Sequence, residues 1–352
     1  MTHHISWHSI HNHLPASPPS IITMRPGPSI CDKVRISCRQ WTQTDRCRNL
    51  VKIHATGEAF EKLVRQLREA KDIEWDEEAW HYQPPNEWPR ERLALYILSL
   101  DTINFCFWPT EGYEYDDLAK GLKVFAELDH ERQAMDLSSL CPDYALSASR
   151  LASIDVERLQ KHLDKLPPNL ETRCRLLNEV GRVLEDRFEG SALKLISKAN
   201  GSAVELVQLV FDSFPGFRDV HDDLYLLKRA QILVGDWDAA LSLQLPDMDQ
   251  LTTFADYRVP QLLRELGVLE YSTELATVVD NRQEIAAGSD MELAIRTCTV
   301  EAVEKLAQAL REQDPEKGWT SVKVDWYLWQ VGERMNNRRE LQPHHRVMTT
   351  FY

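Results

Sequence analysis

Apolar residues recur with a helical period along most of this chain. In residues 57–70 they follow the i, i+3, i+4, i+7 spacing of an amphipathic helix, at Phe60, Leu63, Val64 and Leu67. Pro89 suits the first turn of a helix, so a second helix is predicted over 90–105. The same period predicts further helices over 151–163, 171–188, 202–214, 224–234, 257–266, 292–311 and 322–334.

Proline and glycine separate most of these segments, at Pro167-Pro168, Gly190, Pro215-Gly216, Gly235, Gly267 and Gly288. No series of alternating strands is present, and no internal repeat of solenoid length. An aromatic stretch with turn residues, 107–115, is compatible with a short hairpin. The pattern therefore predicts an all-α fold: one mostly helical domain with a small irregular or β-hairpin insert.

The N-terminal end has a different composition. Its first 31 residues contain no Asp or Glu and one Arg, and they are rich in His, Ser and Pro. We therefore expect a disordered tail over residues 1–33 and a folded domain over 34–352. Transit peptides are Arg-rich as well as acid-poor, so a cytoplasmic protein is favoured over a mitochondrial one. Met24 stays open as an alternative start.

The charge balance bears on the class of partner. A formal charge of −14 and a pI of about 5.4 disfavour a polynucleotide partner, because gripping its backbone requires a basic face. They do not disfavour a small ligand that carries one phosphate or an amine. No apolar run is long enough to span a bilayer, so no membrane partner is expected.

The cysteines indicate a reducing compartment. There are seven, at positions 31, 38, 47, 106, 141, 174 and 298, with wide spacings and no C-x-x-C pair. A disulfide framework or a structural zinc site is therefore not expected. Familiar catalytic strings, such as G-x-G-x-x-G, H-E-x-x-H and G-x-S-x-G, are also missing.

Candidate chemistry comes from polar residues that stand among large apolar ones. Asp101 and Asn104 lie three apart in LDTINFCFWP (100–109), although a helix end with its own hydrogen bonds is the favoured explanation from the residues alone. Asp256 lies in FADYRVP (254–260), where Pro260 suits a first helical turn. A carboxylate at that helix end is stabilised by free N–H groups, and a plain N-cap is the simpler alternative.

Two further segments carry charges on apolar helices. In VDWYLWQ (324–330), Asp325 and Trp329 share a helical face. Aromatic stripes of this kind are usually core, but a buried carboxylate such as Asp325 requires donors. In YLLKRAQ (225–231), Lys228 and Arg229 interrupt an apolar helix, where cations with their charged ends in solvent are the alternative.

Taken in order, these segments resemble the queuosine salvage family, the queuosine 5'-phosphate N-glycosylases or hydrolases. The similarity runs from about residue 51 to the last residue. It is carried by LDTINFCFWP, RLLNEV (175–180), QLVFDSFPGFRD (208–219), KRAQILV (228–234), FADYRVP, DWYLW (325–329) and residues 343–352. Several long strings in one order make this a specific signal.

The resemblance implies an all-helical core like that of helix-hairpin-helix DNA glycosylases and an activity on a free nucleotide. It implies hydrolysis of the N-glycosidic bond of queuosine 5'-phosphate, which releases queuine for transfer-RNA modification. The catalytic aspartate of the family falls on Asp256, its Asp-aromatic pair on Asp325 and Trp326, and its histidine on His81. Two positions depart from the family pattern: Trp326 stands where Tyr is expected and Gln330 where a second acid is expected.

The chemistry of the implied reaction assigns roles. Asp256 stabilises the sugar cation or attacks it. Asp325 accepts hydrogen bonds from the guanine-like edge of the base. Phe254 and Trp326 stack on its ring, with Tyr257 and Gln330 also in the binding site. The candidates for the 5'-phosphate are Lys228, Arg229 and Arg258. No metal or cofactor is expected.

Other readings stay open. The same fold can act on another nucleotide or on damaged DNA, although the acidic balance argues against DNA. A non-catalytic binder or carrier of queuine is a second alternative, and a helical scaffold is a third. A monomer that contacts no nucleic acid directly is the expected state.

Overall fold

The computed structural model describes residues 27–70, 88–108, 110–133, 146–161, 163–338 and 340–352. Its helices in the N-terminal half are α1 (Ile30–Thr42), α2 (Asp45–Arg48), α3 (Glu58–Glu69), α4 (Arg90–Ile103), α5 (Tyr115–Gln133), α6 (Ala148–Ser153) and α7 (Val156–Gln160). Those that follow are α8 (Leu170–Phe188), α9 (Ala192–Ser197), α10 (Ala203–Ser213), α11 (Lys228–Ala240), α12 (Arg258–Glu265), α13 (Thr273–Asp280), α14 (Asp290–Gln313) and α15 (Ser321–Asn337). The predicted mostly helical fold is confirmed.

The strands in the described residues are short and form three pairs. Strand β1 (Val51–Ile53) pairs antiparallel with β4 (Leu269–Tyr271), with Val51 opposite Tyr271. Strands β2 (Val220–His221) and β3 (Leu224–Tyr225) form a hairpin, whereas β5 (Glu284–Ile285) and β6 (Arg346–Val347) run parallel. The β1–β4 and β5–β6 pairs join chain segments that are distant in sequence, but none of the three pairs builds a layer of the fold.

Several predicted helices form where the period places them. In α3 the buried residues are the four that define its period, Phe60, Leu63, Val64 and Leu67. Helix α8 spans Leu170–Phe188 against a prediction of 171–188. Helix α14 is the longest helix in the described residues and is buried along most of its length, because the two halves of the core contact it from different sides.

Other predictions are corrected at element ends. The segment 151–163 divides into α6 and α7, because the Asp155 carboxylate accepts from Arg158 N–H and starts a new helix. No hairpin lies at the described positions of 107–115; a turn there leads into α5, and the hairpin lies at 220–225 instead. Since Leu224 and Tyr225 pair with β2, the helix predicted over 224–234 begins only at Lys228.

At the N-terminal end, α1 begins at Ile30, before the predicted domain boundary at residue 34. Ser29 caps it through a reciprocal capping box with Asp32. Ile30 and Cys31 are both buried, so they belong to the core. The described cysteines are buried free thiols, and the Sγ atoms of Cys47 and Cys298 lie 3.4 Å apart. None of the described helices is long and apolar enough to cross a membrane.

Two hydrophobic clusters meet along one seam. The first gathers α1 and α4 to α11, and the second gathers α3, α12, α13 and most of α15. Phe254 and Ala255 belong to the first cluster, while Val259 belongs to the second. Asp256 lies between them in sequence, so the chain passes from one cluster to the other at this residue. Asp325 is placed in a similar way, between Val324 of the second cluster and Trp326, which packs against the first.

Candidate active site

Asp256 lies immediately before α12, where the sequence predicts a helix N-terminus. Its Oδ1 atom accepts hydrogen bonds from the backbone N–H groups of Arg258, at 2.8 Å, and Val259, at 3.0 Å. The capping contact weighed against a catalytic role is therefore present. It occupies one oxygen only, and Oδ2 receives no hydrogen bond from the described residues. The carboxylate thus has a fixed direction and a spare oxygen.

Burial and the neighbouring groups of Asp256 shift its pKa in opposite directions. Burial raises the pKa of this carboxyl above its usual range. The positive charge of Lys228 is the largest influence in the other direction, followed by the N–H group of Val259 and the charge of Arg258. The charge state of Asp256 therefore depends on how close Lys228 is held.

Asp325 is anchored in a similar manner on α15. Its Oδ1 accepts from the Thr253 hydroxyl and from the backbone N–H of Phe254, the latter at 2.9 Å. Burial raises the pKa of Asp325 to about 7, the Thr253 hydrogen bond lowers it, and the nearby Asp256 raises it further. The donors that a buried carboxylate requires come from the segment that leads into Asp256. This segment therefore carries one acid and holds the other in place.

Two aromatic rings, of Phe254 and Trp326, lie near Gly235 in the middle of α11. Each ring belongs to a residue next to or near one of the two acids in sequence. A methyl group on Gly235 would lie 3.5 Å from Phe254 Cζ and 4.0 Å from Trp326 Cζ2. Phe254 is buried and Trp326 is half-buried. The prediction of a helix break at Gly235 is wrong, because α11 continues to Ala240. The missed signal was a glycine inside a continuous apolar helix.

Lys228 is the first residue of α11 and is only 5% exposed. Burial lowers the pKa of its ammonium group, and the charges of Asp256, Asp101 and Asp236 raise it, Asp256 most strongly. Burial raises the pKa of Asp236 well above its usual value, and this carboxyl forms a hydrogen bond with Asp101. Asp101 thus belongs to the site by its charge. Asp236 was missed, because DW (236–237) in a helix carries no distinctive pattern.

The other two cations proposed for the phosphate are held by protein groups. Arg229 is fully buried and donates to the carbonyl oxygens of Asp101, Thr102 and Gly216. Arg258 forms an ion pair with Glu333, Nε to Oε1 at 2.7 Å, and its Nη1 donates to Gln261 Oε1 at 2.6 Å. Among the three candidates, Lys228 is the one whose charge acts mainly on Asp256.

The remaining predicted residues are Tyr257, Gln330 and His81. The Tyr257 ring lies 4.6 Å from the ring of His344, a residue that the sequence analysis missed. Burial lowers the pKa of His344 to about 4, so it is neutral at pH 7. Gln330 is half-buried, one helical turn after Trp326. His81 lies outside the described residues.

The arrangement defines a class of protein. Two buried carboxylates, each anchored through one oxygen, lie beside aromatic rings and a buried lysine at a seam of a helical fold. Pairs of carboxylates in such contrasting environments perform acid–base and nucleophilic chemistry in glycosidases. Among the described residues, no group of three or more His, Cys, Asp or Glu side chains is placed to hold a metal ion.

Comparisons with known proteins identify the family. A family model described as Queuosine salvage protein matches residues 81–352. A Dictyostelium discoideum protein is 43% identical over 270 residues, covering 74% of this chain and 79% of that protein. Proteins of Sphaerobacter thermophilus and Bos taurus are 39% and 32% identical, over 75% and 74% of this chain and 82% of each relative. All three are named queuosine 5'-phosphate N-glycosylase/hydrolase. The chain belongs to the queuosine salvage protein family.

Proposed function

We infer that this protein hydrolyses the N-glycosidic bond of queuosine 5'-phosphate and releases queuine for salvage. Family membership and the shared name of relatives that cover most of the chain support the substrate. The observation that carries the chemistry is the pair Asp256 and Asp325, each held through Oδ1 with Oδ2 left for a ligand. Water adds across the bond between the base and C1', giving ribose 5-phosphate and queuine.

We propose that Asp256 acts on the sugar. As the bond breaks, positive charge develops at C1' and the ring oxygen, and an ionised carboxylate stabilises that charge or attacks C1'. The two backbone N–H groups on Oδ1 fix the carboxylate before substrate arrives, which removes a reorganisation cost from the transition state. Lys228 favours the ionised form against the effect of burial.

We propose that Asp325 recognises the base. Queuine is a 7-deazaguanine, so it lacks the N7 atom whose protonation helps ordinary purines to leave, and its departing charge has to be stabilised elsewhere. Asp325 Oδ2 can accept from the N1–H or exocyclic amine of this guanine-like edge. Phe254 and Trp326 would stack on its faces, with Gly235 leaving the rings room. Tyr257 and Gln330 are our further candidates for contacts with the base.

Lys228 is our candidate for the 5'-phosphate, because Arg229 and the Nε and Nη1 groups of Arg258 already bind protein acceptors. An ammonium group binds phosphate as a point charge. We further propose that the protein acts on the free nucleotide as a cytoplasmic monomer. The formal charge of −14 supports a small substrate over a polynucleotide. Hydrolysis as written needs water and no redox cofactor.

One assay tests this proposal. Purified protein is incubated separately with queuosine 5'-phosphate, queuosine and guanosine 5'-phosphate, and chromatography measures the free base. We expect queuine from queuosine 5'-phosphate and far slower release of guanine. Tight binding of queuine without turnover of any substrate would favour a carrier instead. Rapid release of guanine would place this chain among glycosylases of other nucleotides.

A further inference from the structure

Two charged residues outside the proposed substrate contacts, Asp219 and Arg296, form a buried ion pair. Arg296 Nη1 lies 3.0 Å from Asp219 Oδ1, and Nη2 lies 2.6 Å from Oδ2. Arg296 is 0% exposed and Asp219 is 1% exposed. Burying two charges costs desolvation that their attraction often fails to offset. A pair of this kind therefore calls for a reason beyond stability.

The remaining donor of Arg296 reaches the candidate active site. Its Nε donates to the carbonyl oxygen of Ala255, at 3.0 Å. Ala255 directly precedes Asp256, so the guanidinium group holds the peptide from which the proposed catalytic carboxylate extends. Arg296 lies on α14, a long and buried helix that provides a rigid base for this contact.

Asp219 holds the other side of the site. Its Oδ2 accepts from the backbone N–H of Lys228, at 3.3 Å, at the first turn of α11. Its own carbonyl oxygen accepts from the N–H groups of Leu226 and Leu227. Leu227 has a left-handed backbone, with φ of 57°, where a non-glycine residue is strained. The turn that presents Lys228 is therefore fastened by Asp219.

We propose that Asp219 and Arg296 are positioning residues that set the separation of Lys228 and Asp256. One ion pair ties the loop before Asp256 to the turn before Lys228, and each half of the pair holds one of them. The attraction between two charges in a poorly hydrated interior falls steeply with their separation. Fixing this distance fixes both the direction of Asp256 and its ionised fraction. The proposal rests on the catalytic role of Asp256 proposed above.

Neighbouring groups complete the balance of charge. Around the ion pair, His221 Nε2 lies 3.6 Å from Asp219 Oδ1, Glu292 Oε1 lies 3.7 Å from Arg296 Nη1, and the Tyr352 ring lies 4.2 Å from the guanidinium carbon. The titratable groups that act on Asp256 or respond to its charge are Lys228, Arg258, Asp325, Glu333 and Tyr257. Replacing Arg296 by Lys preserves every one of these charges.

Arg296→Lys is therefore the main variant. It keeps the charge but cannot donate to Asp219 through two nitrogens and to Ala255 through a third. We expect kcat for queuosine 5'-phosphate to fall about 10-fold or more, since small displacements of reacting groups are costly, with KM changing less than about 3-fold. The acid limb of the pH–kcat profile should move to higher pH, because a more distant Lys228 favours the ionised Asp256 less.

Arg173→Lys is the matched control. Arg173 is also 0% exposed and also donates to carbonyl oxygens, those of Ile103, Phe105, Cys106 and Pro168. We expect it to lower the melting temperature comparably, while kcat and the acid limb stay close to wild type. Unchanged kcat and acid limb in folded Arg296→Lys would overturn the positioning proposal, as would an equal loss of kcat in Arg173→Lys.

Two additions keep the result decisive. Should Arg296→Lys not fold, Asp219→Asn takes its place in the kcat and KM comparison, because it keeps the side-chain shape and weakens the pairing. Wild-type kcat in that variant would equally overturn the proposal. Asp256→Asn is measured in the same series. Wild-type kcat in Asp256→Asn would refute the catalytic role of Asp256. A large loss of kcat in Asp256→Asn together with wild-type kcat in Arg296→Lys would refute only the positioning proposal.

Discussion

Asp256 and Asp325 are held alike but differ in what surrounds them. Each receives two hydrogen bonds on one oxygen. Asp256 has Lys228 as its largest favourable charge, whereas Asp325 is affected by the negative charge of Asp256. This difference is the basis of the two roles proposed above, one towards a cation that forms during the reaction and one towards a base that is present throughout.

Substituting each acid by Asn should separate these roles. We expect Asp256→Asn to fold normally and to lose at least about 100-fold in kcat, the scale for one preorganised electrostatic group. Its affinity for queuine should change little, because its partner appears only in the transition state. Asp325→Asn should lose queuine affinity as well as turnover, since an amide N–H would face the donors of the base. Calorimetry with queuine on both variants measures the difference. Wild-type affinity in Asp325→Asn would make Asp325 a structural carboxylate.

The pKa of Asp325, raised to about 7 by burial, predicts a pH dependence of binding. Donors on the base favour the ionised carboxylate, so a protonated Asp325 must lose its proton before queuine binds. Affinity should be constant above about pH 7.5 and should fall roughly tenfold per pH unit below about pH 6.5. Titrations of wild type between pH 5.5 and 8.5 measure this, with Asp325→Asn as the control that lacks the acid limb. A flat wild-type profile would contradict the assignment.

At the scale of elements, two helical glycines have opposite surroundings. Gly181 lies where α6 and α8 pack: a methyl group there would be 2.2 Å from Ala152 N and 2.5 Å from Ala148 O. These are backbone atoms, so the helices would have to separate. On Gly235 a methyl group would lie 3.5 Å from Phe254 Cζ and 4.0 Å from both Met248 Cε and Trp326 Cζ2, which are ordinary contacts.

Gly181→Ala should therefore lower the melting temperature by several degrees, because it opens the α6–α8 contact. Gly235→Ala should leave the melting temperature unchanged or raise it slightly, since alanine is the better helix former by about 1 kcal/mol. Thermal unfolding followed by circular dichroism compares the two. An equal loss of melting temperature in both variants would contradict the close α6–α8 contact at Gly181.

At the scale of the whole molecule, the site lies at the seam of two hydrophobic clusters, so a ligand there should bind them together. A saturating ligand that binds only the native state stabilises it by RT ln(1 + [L]/Kd), about 2.7 kcal/mol at 100 times Kd. We expect queuine to raise the melting temperature of wild type and of Asp256→Asn, but much less that of Asp325→Asn at the same concentration. A shift of equal size in all three proteins would indicate binding away from the seam.

Local sequence pattern was sufficient for the residues and elements whose signal is local. The family motifs predicted Asp256 and Asp325 as site residues, and Pro260 predicted the helix start at α12. Helices α3 and α8 were predicted from apolar residues at helical spacing, which form the buried face of each helix. The start of α11 at Lys228 was missed because Leu224 and Tyr225 pair with β2. The division of 151–163 was missed because the local N-cap at Asp155 was not recognised.

The sequence by itself determined a mostly helical protein and, through its motifs, the family, and it predicted Asp256 and Asp325 as site residues. These properties depend on periodicity and on short strings, which any stretch of chain carries with it. Only the tertiary structure decided which cations are free to act: Arg229 and Arg258 are bound to carbonyl and side-chain oxygens, while Lys228 acts on Asp256. It also joined Asp219 to Arg296, 77 residues apart. Partners at such separation follow no spacing rule, because the packing of α14 against both clusters brings them together.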